Sequence, residues 1–530
     1  MKRREFIATS MATGAALSLS PYRLKSSPRA NTSVQSANDF LEDDSIMILI
    51  DLFGGNDGLN TVIPLFQDEY YNLRPNIAID VEDAVRFQSS DLYLHPALVN
   101  NIDNEGFLGL LRNGNLAVVE RVGYEDYTMS HFRSSDIWSS GIISKDPNVK
   151  LLDGWLGRYF ASKLDNFPFE IPEHPLGISI GGEVPLVLRS EKGHMGISLT
   201  NPEQFYNIGK GKAPFEQKLN DDSFYANEYN FIHTIAEQSE IYSAEVKKSF
   251  DKGQNMVQYP ANGLASKMGL IAKLISGGLK TKVYHLRLSS FDSHVQQMND
   301  AMSGQHPILL RQLSEAISKF MTDATLQGFA HRVAGLTISE FGRRAYDNGS
   351  RGSDHGASSV MFMFAHDDNI ESGRKGDPPN LSDLDGNGNP RHQFDFRRLY
   401  TDFIETWFGG SENDVTDIFG EPILPMGILK PRVKSHVRDL VYTSGRPGVQ
   451  LYPNPKYQSE NSYLKFDLVE SGNVDISVYS VDGRVVKKIR NGYLNSGQNE
   501  FEINGLRSGT YSVVISINNR RYSTPLTVIK

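Results

Sequence analysis

Just after Ser45 the chain carries a nearly continuous apolar run, Ile46-Met47-Ile48-Leu49-Ile50, which ends a few residues later in the pair Gly54-Gly55. A short, isoleucine-rich run bounded by turn-forming glycines predicts a strand buried on both faces, as in a parallel sheet. Similar runs recur at Leu116 to Val119, Val283 to Leu288, Leu336 to Ile338 and Val360 to Phe364. Between several of them the apolar positions take helical spacing, over Gly263 to Ile275 and Ile308 to Met321. Strands alternating with helices predict an α/β fold with a doubly wound, mostly parallel sheet covered on both faces. In such sheets ligands collect outside the carboxyl ends of the strands, and chemistry is expected there.

The period changes after Leu451. Leu464, Phe466 and Leu468 alternate with polar residues, as do Val474, Ile476 and Val478, and Tyr511, Val513, Ile515 and Ile517. With Asp482-Gly483 and Asn518-Asn519 as hairpin turns, residues 449–530 read as a small antiparallel β-sandwich. A basic, turn-rich linker at 431–448 separates it from an α/β domain at 45–430. At the other end, Arg3-Arg4 and the short apolar run Met11 to Leu19 predict a twin-arginine signal peptide at 1–29, followed by a flexible segment at 30–44. No later stretch approaches the roughly 20 apolar residues that span a bilayer.

Charge and composition narrow the chemistry. Lys and Arg total 54 against 63 Asp and Glu, with no basic block beyond the first residues, which argues against a nucleic-acid partner. The chain has no cysteine, so disulfides, thiolate ligands and a cysteine nucleophile are excluded. Any metal must sit among carboxylates and imidazoles, whose oxygen and nitrogen donors suit divalent ions.

Five clusters follow or precede predicted strands. Gly54-Gly55-Asn56-Asp57-Gly58-Leu59-Asn60 offers Asp57 at the sheet rim as a ligand, while Asp51 reads as a polar residue of the strand. Ser130-His131-Phe132-Arg133 opens a helix. There Ser130 reads as an N-cap, or as a hydroxyl at a helix start that favours anions. Phe291-Asp292-Ser293-His294 places Asp292 and His294 two residues apart, able to converge on one ion. Ser339-Glu340-Phe341-Gly342-Arg343 ends one strand, and Gly352-Ser353-Asp354-His355-Gly356 precedes another. A separate run, Asp383-Leu384-Asp385-Gly386-Asn387-Gly388-Asn389, starts like a calcium loop but has Phe394 at its twelfth position, and reads as a solvated turn.

These clusters, with Tyr71 to Pro75, Leu94-His95-Pro96-Ala97-Leu98 and Asp395-Phe396-Arg397, resemble from Ile46 to about Pro425 the bacterial family called domain of unknown function 1501. That family is a branch of the alkaline phosphatase and sulfatase superfamily. The resemblance implies an alkaline-phosphatase-like sheet and a metal-dependent hydrolase of phosphate or sulfate esters. It would bind one or two divalent ions, whether zinc, manganese, calcium or magnesium. It implies Asp57, Asp292, His294, Glu340, Asp354 and His355 as metal ligands or their orienters, and Ser130 as nucleophile beside His131, with Arg133 and Arg343 clamping an anionic group. Phe341 stands where many members have a histidine, which weakens a second metal. Ser130 followed by His131-Phe132 departs from the Cys/Ser-x-Pro-x-Arg motif that sulfatases mature. The rival reading is a non-catalytic surface binding or structural protein that retains the fold.

The tail has its own resemblance. Tyr452-Pro453-Asn454-Pro455, Val478-Tyr479-Ser480-Val481-Asp482-Gly483-Arg484, Gly509-Thr510-Tyr511 and Lys530 look like the type A sorting domain of the type IX secretion system. This implies passage through the periplasm to the cell surface or the medium, with the secretion machinery as one partner. The other partner would be an anionic small-molecule or polysaccharide ester substrate.

Overall fold

A computed structural model describes residues 37–99, 106–168, 170–209, 223–432, 449–468, 472–480, 484–495, 497–517 and 520–530. The signal-peptide expectation, most of the linker, and both hairpin turns, Asp482-Gly483 and Asn518-Asn519, lie outside the described residues.

The large part is built on one sheet. Its strands are β1 (Ile46–Leu52), β2 (Leu116–Gly123), β3 (Gly177–Ser179), β4 (Gly196–Ser198), β5 (Val283–Leu288) and β6 (Val333–Ile338). A two-stranded ribbon, β7 (Gly342–Asp347) and β8 (Ser353–Gly356), stands apart, and β9 (Ser359–Ala365), β10 (Gly373–Lys375) and β11 (Phe394–Asp395) complete the sheet. The spatial order is β10-β2-β9-β6-β1-β5-β3-β4, with β11 also on β2. β1 pairs parallel with both β6 and β5 at the centre.

One strand runs against the rest. β9 is antiparallel to both β6 and β2. A parallel return needs a crossover, usually a helix, and the chain between Ile338 and Ser359 holds only the β7–β8 ribbon. It therefore turns back directly, so that the residues before β9 lie at the same edge as those after β1, β5 and β6.

Alternation along β1 divides the core. Ile46, Ile48, Ile50 and Leu52 face one apolar cluster with α1 (Gly106–Arg112), and Met47 and Leu49 face another with α2 (His131–Ser140) and α3 (Trp155–Lys163). The first cluster also takes α4 (Gly263–Ser276) and α5 (Gln305–Leu326). The second takes α6 (Arg397–Thr401), the π turn Asp402–Trp407 that continues it, and α7 (Glu412–Phe419). The result is a mixed α/β architecture with helices on both faces of a large sheet.

Residues 449–530 form a β-rich region of two sheets, one of three strands and one of five. Leu464, Phe466, Val474, Ile476, Val478, Val513 and Ile515 fill its core, the inward positions that the alternation predicts. Among the described residues, no helix is long and apolar enough to cross a membrane.

Candidate metal centre

Three histidines reach the carboxyl edge of the sheet from different loops. His131 opens α2, His294 follows β5, and His355 lies on β8. Asp292 sits among them. Its Oδ2 is 3.4 Å from His131 Nε2, and its Oδ1 is 3.1 Å from His294 Nε2 and 3.2 Å from His355 Nε2. The Nε2 atoms of His294 and His355 face each other at 3.0 Å.

The opposite nitrogen of each ring is fixed by an acceptor. Nδ1–H of His131 donates to Glu340 Oε1 at 2.8 Å, that of His294 to Asp354 Oδ1 at 3.0 Å, and that of His355 to the Met129 carbonyl at 3.0 Å. A carbonyl oxygen can only accept, so the His355 proton stays on Nδ1 and a neutral ring turns an Nε2 lone pair inward. His294 faces a carboxylate at each nitrogen, Asp354 at Nδ1 and Asp292 at Nε2. At 3.0 Å the His355 lone pair can accept an Nε2–H of His294, and a cation between the two nitrogens can replace that proton. Asp292 Oδ1 and the Nε2 atoms of His294 and His355 lie 3.0–3.2 Å from one another, near the roughly 3.3 Å between tetrahedral ligand atoms at zinc bonds of about 2.0–2.1 Å, while His131 Nε2 approaches the other carboxylate oxygen.

Backbone packing brings the cluster together. Gly54 has φ +124°, and a Cβ there would lie 2.6 Å from the carbonyl carbon of Phe291 and closer still to Asp292 N. Only glycine lets the turn after β1 press against the segment carrying Asp292. Ser290 adopts φ +85°, a left-handed conformation that a serine holds only when its surroundings impose it. Arg343, fully buried, donates to the carbonyls of Gly54, Gly55 at 2.8 Å, Phe291 at 2.9 Å and Ser353 at 2.7 Å, and to Asp292 Oδ1 at 2.9 Å.

Electrostatics follow from these contacts. Burial opposes ionisation of Asp292, but the hydrogen bond and the charge of Arg343 hold its carboxyl below the usual carboxylate range. Burial, then the nearby Asp51 carboxylate, pushes the Glu340 carboxyl up. Its Oε1 also accepts the Gly54 N–H at 2.8 Å, while Oε2 is buried without a partner. Burial also lowers the His355 imidazole, which keeps it neutral.

Several expected roles change. Asp57 is not brought into the cluster: it is buried, with its Oδ2 2.6 Å from Arg74 Nη1 and accepting from Gln297 Nε2 at 2.6 Å. Glu340 and Asp354 touch histidine Nδ1 atoms and act as orienters. His131, Asp292 and His355 each offer an atom within 4.8 Å of the others, a grouping that could hold an ion. Arg133 cannot clamp an anion where it stands, because its guanidinium donates to the carbonyls of Ser144, Asp146 and Val149. Arg343 is likewise consumed by backbone carbonyls. Ser130 is an exposed N-cap whose Oγ accepts the Arg133 N–H at 3.5 Å, with no imidazole or carboxylate on it among the described residues. The ring of Phe341 is 4.3 Å from that of His355 and 4.8 Å from that of His131, filling the space with an apolar wall. Asp385 accepts the N–H groups of Asn387 and Asn389 and the Tyr127 hydroxyl, so the calcium-like run closes into a turn.

Sequence reading missed Met129 and Gln297. Met129 acts through its carbonyl, which any residue would supply, and Gln297 carries no motif.

The chain is thus a mixed α/β protein with three histidines and an aspartate converging at its sheet edge, followed by a β-rich tail. Comparison finds two domains in it: one described as "Protein of unknown function (DUF1501)" at residues 157–418, and one described as "Secretion system C-terminal sorting domain" at residues 450–530. The first spans Asp292, His294, Glu340, Asp354 and His355, while His131 precedes it. The second indicates export and a cell-surface or extracellular location. No curated protein matches the chain. Among solved structures, domains 4 and 5 of the S-layer protein SbsC align at 14% identity over 16% of this chain and 51% of that one, TM-score 0.13. A putative lipoprotein from Bacillus anthracis aligns at 11% identity over 15% of this chain and 72% of that one, TM-score 0.13. A sulfatase from Pseudoalteromonas sp. aligns at 11% identity over 88% of this chain and 86% of that one, TM-score 0.31. Likenesses this distant carry no argument about activity.

Proposed function

We propose that the protein is an exported, metal-dependent hydrolase of phosphate or sulfate esters, with an alkaline-phosphatase-like domain at 45–430 and a sorting sandwich at 449–530. One divalent ion would be held by Asp292, His131 and His355, with His294 Nε2 beside His355 as a further donor. The observation that carries the reading is the arrangement of the three rings, each with Nδ1 on an outer oxygen and Nε2 beside the Asp292 carboxylate. Imidazole-rich donors favour zinc over calcium or magnesium. A second ion has little support, since Asp57 is committed to Arg74 and Phe341 occupies the neighbouring wall.

A bound divalent ion supplies Lewis-acid polarisation of an ester oxygen. The chain's own groups do the rest. Arg343 keeps Asp292 ionised, and Glu340 holds the His131 ring in position. The N-terminus of α2 offers partial positive charge to a tetrahedral anion. Ser130, between Met129 and His131, would be the nucleophile in this reading.

Ser130 lacks a contacting base, and this favours a second reading: a surface metal-binding protein without turnover. Metal content of the chelator-stripped and zinc-reloaded protein, with hydrolysis of aryl phosphate and aryl sulfate esters, separates them. The hydrolase reading expects zinc-dependent turnover that Asp292→Asn abolishes together with zinc binding, and that Ser130→Ala abolishes with zinc retained. Zinc binding without turnover leaves the second reading, and no zinc binding refutes both.

A further inference from the structure

Gln297 is completely buried, and its carboxamide joins three segments. Its Oε1 accepts the Ser353 hydroxyl at 2.6 Å and the Ser293 hydroxyl at 3.3 Å, while its Nε2 donates to Asp57 Oδ2 at 2.6 Å. Ser293 lies between Asp292 and His294, and Ser353 immediately precedes Asp354 and His355. Asp57 is itself held by Arg74 in an ion pair from which water is excluded. The backbone adds to this: the Gln297 N–H donates to the Arg351 carbonyl at 2.9 Å, and the Ser353 N–H to the Ser293 carbonyl at 3.3 Å. At Gly352 a Cβ would lie 2.6 Å from the Ser293 carbonyl oxygen, so the two loops touch through their main chains.

We infer that Gln297 is the positioning residue of the metal centre: its carboxamide locks the loop of Asp292 and His294 against the loop of Asp354 and His355, and ties both to Asp57. The inference rests on the metal-binding reading above. The physical reason is geometric. Two Nε2 atoms on separate loops suit one small ion only while the loops keep their registration, and the buried three-way carboxamide adds a side-chain tie to the backbone hydrogen bonds between them. Asp57 thereby acts on the centre at one remove, as the fixed end of the tie. Residues that orient metal ligands typically change affinity by roughly 10–100-fold when removed.

The test uses the full chain, stripped with a chelator, as wild type, Gln297→Met and Ser353→Ala. Zinc affinity is read by competition with a chromogenic chelator, and geometry by the visible absorption of the cobalt-loaded protein. Wild type is expected to bind tightly, Gln297→Met about 10–100-fold more weakly with an altered cobalt spectrum, and Ser353→Ala in the same direction by less. A purely structural Gln297 would lower the melting temperature of the metal-free protein and leave zinc affinity and the cobalt spectrum unchanged, which overturns the inference. If Gln297→Met fails to fold, Ser353→Ala decides on its own. If wild type binds neither metal, the metal-binding reading falls and takes the inference with it.

Discussion

Replacing Gly54 by alanine tests whether the close approach of two backbones builds the centre. The new Cβ would lie 2.6 Å from the carbonyl carbon and 2.9 Å from the nitrogen of Phe291, and nearer still to Asp292 N. All three atoms are main chain, so no rotamer change relieves the contact. Overpacking of this kind costs about 1–3 kcal/mol, and φ +124° at a non-glycine residue adds about 1–3 kcal/mol. The total of about 2–6 kcal/mol, divided by the roughly 0.8 kcal/mol/K unfolding entropy of a domain of this size, corresponds to a fall in melting temperature on the order of 2–8 °C. Gly182→Ala is the control, since a Cβ there meets nothing within 4 Å. Thermal unfolding of metal-free protein, followed by circular dichroism, reads both variants, and zinc affinity follows the displacement of Asp292. A Gly54→Ala melting temperature as close to wild type as that of Gly182→Ala would refute the packing argument.

Two further predictions concern buried titratable groups. Glu340→Ala leaves the Gly54 N–H without its acceptor and frees the His131 ring, so zinc affinity is expected to fall by roughly 10–100-fold in chelator competition; unchanged affinity would remove His131 from the ligand set. His285, buried in β5, is held at about 3, first by burial and then by the charges of Arg287 and Lys267. A folded-state value below the ordinary 6.5 means that its contribution is complete above pH ~6.5 and is lost as pH falls toward 3. At pH 4.5 the loss is on the order of 2–3 kcal/mol. Urea midpoints at pH 7.0 and 4.5 should therefore converge in His285→Gln relative to wild type, and an unchanged gap would show that other groups set the acid sensitivity.

The strands were the most legible feature, because a strand buried on both faces is written as an unbroken apolar run. Ile46 to Ile50 and Val283 to Leu288 emerge as β1 and β5 within two residues of their ends. Leu336 to Ile338 grows backward to Val333, because Val333 and Ala334 are buried but Gly335 interrupts the apolar run. The reversed direction of β9 was not legible from its own residues. It follows from the lack of a crossover helix after β6, a property of the connection and not of the strand. The tail's alternation carried over to its inward-facing core because period two leaves one assignment of faces.

At the candidate site, residue types were legible and polarities were not. Asp292, His294 and His355 announce themselves by spacing near strand ends, and they meet. Asp57 has the same signature, a carboxylate after a glycine turn at a strand end, yet it is turned inward. The difference lies in Arg74, whose buried guanidinium has to be neutralised somewhere within reach. A sequence shows that Arg74 exists but not that it is buried, and burial decides which aspartate is consumed by pairing and which stays open to an ion. Asp292 stays open even though Arg343 also touches it, because its side chain is half-exposed and its Oδ2 faces His131. Two aspartates at strand ends, each beside a buried arginine, thus divide by burial: Asp57 is enclosed with Arg74 and Gln297 on one oxygen, and Asp292 keeps an oxygen open to an ion.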